Sequence, residues 1–163
     1  MLNKGLVGLI LVTLLAGAAG VYQISLNRQR TPDRQQIARL MEYARQGVQR
    51  KDAKQAVSIV SKDYKDGIGF TYRMIRLRTF DALNSDIRPE VSFSNPTISV
   101  TGDTAAFGAT VELYNGKDNS GPMFNQQLLF HFRKENLHKY LIFRTREWRV
   151  TAIDGLERVI NGM

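Results

Sequence analysis

The sequence predicts an α+β domain in which helices come first and a run of antiparallel strands follows. Three observations carry that expectation. Apolar residues recur at helical spacing as far as Leu83. After Pro89 the apolar period changes from 3.6 to 2. Turn residues, Thr101-Gly102-Asp103 and Asn115-Gly116, then punctuate the second half.

Each helix has its own signals. Thr31-Pro32-Asp33 reads as a helix start, with Thr at the N-cap, Pro at the first helical position and an acid in the first turn. Ile37, Leu40, Met41, Ala44 and Val48 follow as one buried stripe, and Gly47 weakens the helix near its end. A second helix is expected from Asp52, burying Ala56, Val57, Val60 and reaching toward Tyr64, until Lys65-Asp66-Gly67 breaks it. Thr71 caps a third, with Tyr72, Ile75, Thr79, Phe80 and Leu83 on one side. Arg73 and Arg76 share another face, and Arg78 and Asp81 are solvated. The helix must stop by Arg88, because Pro89 disfavours a helical residue before it.

The strands are read from alternation. Val91 and Phe93 share one parity, Pro96 interrupts, and Ile98 and Val100 resume on the other, as at an edge or a bulge. Ala105, Phe107, Ala109, Val111 and Leu113 form the inner face of a second strand. Phe124, Leu128, Phe130 and Phe132 do so for a third, with Asn125, Gln127, Leu129, His131 and Arg133 opposite. In the fourth, Trp148, Val150 and Ala152 face inward, and Glu147, Arg149, Thr151 and Ile153 outward. Residues 135–143 read as an irregular connection. A sheet covered on one side leaves its other face to solvent or a partner.

Composition narrows the function classes. The 163 residues suit one domain and a short appendage. There is no cysteine, hence no disulfide or thiolate metal site, and two histidines without a carboxylate cluster argue against zinc. No cofactor is expected. The net charge of +8 is uneven: Gln23 to Arg88 holds 14 Lys+Arg against 7 Asp+Glu, whereas Pro89 to Phe132 holds 1 against 4. Such a surplus suits nucleic acid, anionic headgroups or simply solvated helix faces. Nucleic acid is the disfavoured partner, since the aromatics fall on inward parities rather than among exposed arginines.

Residues 5–22 carry no charge, and as a helix they would span about 27 Å, close to a bilayer's hydrocarbon core. They read as a transmembrane anchor, with Ala16-Gly17-Ala18 leaving a cleaved signal peptide as the alternative. The arginines that follow argue for a cytoplasmic domain, and the short leading anchor for an extracytoplasmic one, which is the expectation adopted. Residues 1–24 are thus anchor or signal, 25–32 a linker, 33–158 the folded domain and 159–163 a tail.

The order of elements, the loop Ser61-Lys62-Asp63-Tyr64-Lys65-Asp66 and the strand Glu147-Trp148-Arg149-Val150 resemble the nuclear transport factor 2-like superfamily, which includes SnoaL-like cyclases and ketosteroid isomerase. The resemblance spans residues 33–155. It implies a cystatin-like cone, three helices on the concave face of a curved sheet, with an apolar pocket lined by Tyr43, Tyr64, Phe80, Phe107, Phe130 and Trp148. It also implies a possible homodimer through the outer sheet face.

No acid-base pair of the isomerase type can be matched position by position, so no catalytic residue is assigned. Asp63 and Asp66 suit turn roles, and His131 alternates away from the helices. The expected function is a membrane-anchored or exported, non-catalytic module binding a small apolar ligand or a protein. The alternative is an isomerase or cyclase acting in the pocket, which would need a buried carboxylate or histidine facing a tyrosine.

Overall fold

A computed structural model describes residues 32–117, 121–139 and 143–156. Helices α1 (Asp33–Gln49), α2 (Ala53–Val57) and α3 (Tyr72–Asn84) precede strands β1 (Pro89–Thr101), β2 (Thr104–Asn115), β3 (Phe124–Lys139) and β4 (Phe143–Asp154). The strands form one antiparallel sheet in the order β1-β2-β3-β4, so each pairs with its neighbour in the chain. This is the expected α+β architecture. The apolar segment 5–22, the Thr31 cap, the linker up to its last residue and the tail at 159–163 lie outside the described residues. Among the described residues, no helix is long and apolar enough to cross a membrane.

The core forms where the stripe of α1 meets the inward parity of β2, β3 and β4. Ile37 and Met41 cluster with Ala105, Phe107, Ala109, Phe132, Trp148 and Val150. Leu40 and Ala44 pack against this cluster from the flank of the same stripe. Burying each large side chain contributes about 1.5–3 kcal/mol, so this face is what holds α1 to the sheet.

Gly47, which the sequence offers only as a weak point, has a packing role. A Cβ there would lie 2.6 Å from the Ala56 backbone nitrogen. The missing side chain lets α1 and α2 touch, and the Asp52 amide donates to the Gly47 carbonyl at 2.8 Å. Asp52 caps α2 through its carboxylate, which accepts from the Gln55 amide at 2.9 Å.

Four local expectations are corrected. The second helix ends at Val57, because residues 59–61 leave it to pair in parallel with β4: Ser61 N–H donates to Val150 O at 2.8 Å and Val150 N–H to Ile59 O at 2.9 Å. The run Val57-Ser58-Ile59-Val60 is apolar enough for either state. Thr71 occupies the N-cap of α3 without a side-chain capping bond. Residues 135–143 are not wholly irregular, since β3 continues to Lys139 and β4 begins at Phe143.

The fourth correction concerns which face a side chain takes. The register of β3 on β4 shifts between His131 and Phe132, leaving Thr151 as the extra residue. Beyond it Ala152 lies opposite His131 and Ile153 opposite Phe130. Ile153 therefore packs against the core and Ala152 faces outward, the reverse of simple alternation. The parity change in β1 is likewise a bulge, between Ser94 and Thr97, where Asn95 adopts a φ of 53°.

Candidate functional site

The six residues expected to line a pocket have different fates. Tyr64, Phe107 and Trp148 are 2%, 3% and 1% exposed and belong to one packed cluster. Phe130 joins it edge-to-face, its ring centroid 5.9 Å from that of Phe107. Phe80 is half-buried on α3, with the Arg76 guanidinium 5.6 Å from its ring centre. Tyr43 is exposed and lines an open trough of about 440 Å³ along α1, beside Arg39, Glu42 and Gln46. There the Arg45 and Gln46 side chains, bonded to Glu42, draw its carboxyl down to about 2.

Inside the fold the ionisable groups are engaged with one another. Asp66 is buried, and its carboxylate accepts from Phe70 N–H at 2.8 Å, Ile68 N–H at 3.2 Å and the Tyr64 hydroxyl at 2.9 Å. It closes the loop that leads into α3, the turn role expected of it. Burial first, and then the Asp66 carboxylate, push the Tyr64 hydroxyl far above its ordinary value, so it stays protonated and donating.

A second polar group closes the start of α1. Asp33 accepts from Trp148 Nε1 at 3.1 Å and from Lys134 Nζ at 2.9 Å, and the Lys134 ammonium lies 4.9 Å from the Trp148 ring centre. Partial burial raises the Asp33 carboxyl. The bonds from Lys134 and Trp148, with the charges of Lys134 and Arg146, outweigh that and hold it below 3.8.

The cavity with the most chemistry lies elsewhere, between the residues that follow α2 and the β3–β4 pair. It encloses about 230 Å³ and is lined by Ser61, Lys62, Tyr72, Glu135, Leu137 and Arg149, among others. The parallel pairing of residues 59–61 with Val150 sets Ser61 in place. Its hydroxyl donates to Glu135 Oε1 at 2.6 Å and accepts from Asp63 N–H at 3.0 Å. Arg133 donates to the same Glu135 oxygen at 3.2 Å. Arg149 bonds to Glu147 at 2.9 Å and to the Ser58 carbonyl. Lys62 donates to the Tyr72 hydroxyl at 2.7 Å.

These contacts make the cleft a braced polar surface. Glu135 Oε1 thus accepts from both a hydroxyl and a guanidinium, and these charge-assisted bonds fix the carboxylate against Ser61 and Arg133. Ser61 stands in the loop Ser61–Asp66, where its hydroxyl accepts from the backbone N–H two residues on, the turn role open to a serine. Glu135 gave no signal in the sequence, because its strand extends beyond the apolar alternation. Among the described residues no cluster of three or more His, Asp or Glu is placed to hold a metal ion.

His131 points away from the helices, its Nε2 2.7 Å from Asp154 on the outer sheet face. Along that face Leu129 is 37% exposed. Ala106, Gly108 and Thr110 give the middle of β2 a low profile there.

No protein-family model and no curated protein matches the sequence. Solved structures do match the fold. A cystatin-like protein of unknown function from Nostoc punctiforme superposes with a TM-score of 0.57 at 15% identity, over 74% of this chain and 87% of that one. A nuclear transport factor 2-like protein of unknown function from Pseudomonas putida gives 0.58 at 15%, over 72% and 80%. A nuclear transport factor 2-like protein with a cystatin-like fold from Novosphingobium aromaticivorans gives 0.56 at 17%, over 88% and 90%. The chain thus has the cystatin-like, nuclear transport factor 2-like fold, and fold alone leaves function open.

Proposed function

We propose that the chain is a non-catalytic protein-interaction module that self-associates through its outer sheet face. Residues 5–22 hold it at a membrane, with the folded domain on the extracytoplasmic side. The observation that supports this reading is the filling of the interior: Trp148, Phe132, Ile37 and Val150 are all less than 2% exposed. Side chains occupy the space in which a cone-shaped enzyme would receive its substrate. The buried carboxylate of Asp66 is turned onto its own loop, accepting from Ile68, Phe70 and Tyr64, which supports a structural role for it.

The outer face supports the partner part of the reading. Leu129 stands exposed beside the low stretch Ala106-Gly108-Thr110, with Asn125, Gln127 and the His131–Asp154 pair around it. A copy of the same face supplies polar groups to meet these. The membrane part rests on the uncharged run 5–22.

Sedimentation velocity of the full chain in detergent at two concentrations tests self-association. The wild type is expected to sediment as a dimer and Leu129→Arg as a monomer. A wild type that is monomeric at both concentrations contradicts the proposal.

A further inference from the structure

The outward side of α3 exposes apolar and cationic side chains together. Leu77 is 60% exposed and Met74, three residues earlier, is 40% exposed, which places two large apolar side chains side by side on one helix face. Arg73 lies one turn before Leu77, and Arg78 one turn after Met74, both exposed. Neither has a carboxylate partner among the described residues. Arg76, also exposed, lies against the Phe80 ring. The face carries one acid, Asp81, one turn beyond Leu77. Of the groups at its ends, Lys62 is bonded to Tyr72, and Lys51 to the Ser85 carbonyl. The inward side, with Ile75 and Leu83, is committed to the fold.

We propose that this face docks on an anionic phospholipid surface. Leu77 and Met74 enter the boundary between headgroups and acyl chains, and Arg73, Arg76 and Arg78 pair with headgroup phosphates. The argument is charge complementarity joined to apolar exposure. Three guanidinium groups against one carboxylate call for an anionic partner. Leu77 and Met74 between them call for one with an apolar layer directly beneath its charges, which is what a lipid surface offers and a nucleic-acid backbone does not. The same helical half of the chain holds the excess charge, 14 Lys+Arg against 7 Asp+Glu. Docking through α3 leaves the outer sheet face free, since helices and that face lie on opposite sides of the sheet. The inference takes from the proposed function only that residues 5–22 bring the domain near a membrane.

The chain lacks cysteine, so Met74→Cys accepts a single environment-sensitive fluorophore, and Ser99→Cys, exposed on β1, serves as control. The labelled full chain is mixed with vesicles of phosphatidylcholine alone or with phosphatidylserine, and flotation is scored beside emission. Docking predicts a blue shift at position 74 only with phosphatidylserine, none at 99, and its loss in R73Q/R76Q/R78Q or at high salt. With about fivefold partitioning for each arginine, the triple variant should need on the order of a hundredfold more anionic lipid for the same shift.

Equal emission in both vesicle types overturns the proposal, as does a shift that survives in the triple variant. A larger shift with short duplex DNA than with phosphatidylserine also overturns it. Flotation with neutral vesicles is scored separately. Its absence contradicts the anchor and leaves the position 74 signal to decide on α3.

Discussion

Trp148 Nε1 donates a hydrogen bond to Asp33 Oδ1 across 3.1 Å, joining the closing strand to the first residue of α1 over a separation of 115 residues. Lys134 completes the group from β3. The contact satisfies the one polar atom of a 1%-exposed indole and fixes where α1 begins on the sheet.

Asp33→Ala should therefore destabilise the fold by about 1–3 kcal/mol, since it orphans a buried indole N–H and strands the partly buried Lys134. The effect depends on pH. The folded Asp33 carboxyl lies below the ordinary 3.8. Its contribution is complete above that value and is lost as pH falls through the lower, folded one. Urea unfolding at neutral pH and near pH 3 should show the gap between wild type and Asp33→Asn narrowing in acid. A gap that widens contradicts the assignment.

Gly47→Ala sets two effects against each other. Alanine is the better helix former by about 1 kcal/mol. Its Cβ would, however, meet the Ala56 backbone nitrogen at 2.6 Å, and backbone cannot turn aside as a side chain can. Overpacking costs typically about 1–3 kcal/mol, so the net sign is destabilising. A lower thermal midpoint for Gly47→Ala checks this, and a higher one refutes the close helix contact.

Asn95 sits in the β1 bulge at a φ of 53°, where a β-branched residue is strained. Asn95→Gly should be nearly neutral, and Asn95→Val should cost about 1–2 kcal/mol. Equal stabilities in chemical denaturation would mean that the bulge lies elsewhere.

That bulge was legible in the sequence, because Pro96 marks it and the apolar parity changes across it. The bulge at Thr151 was not. Ala152 fits either face, no glycine or proline flags the break, and Val150-Thr151-Ala152-Ile153 alternates plausibly in both registers. The sequence therefore placed Ile153 outside, and only the pairing with Phe130 puts it in the core. Likewise the polar run Lys134-Glu135-Asn136 hid the second half of β3, and with it Glu135, while Ser61 stood in plain view within the loop motif. Tyr43, expected in the same inward set, is exposed, whereas Phe107, Phe130 and Trp148 face inward as strand alternation predicts. Periodicity told which way they point, but the volume left between them depends on packing that no spacing rule contains.

The central claim is that this cone is closed by its own side chains and acts through its surfaces. The chain has a single tryptophan, so its indole N–H gives one resolved peak in a ¹H–¹⁵N correlation spectrum, reporting directly from the interior. Titration with indole-sized and steroid-sized apolar molecules should leave that peak in place. A saturable displacement of the Trp148 resonance at micromolar ligand would show a pocket beside it and contradict the account.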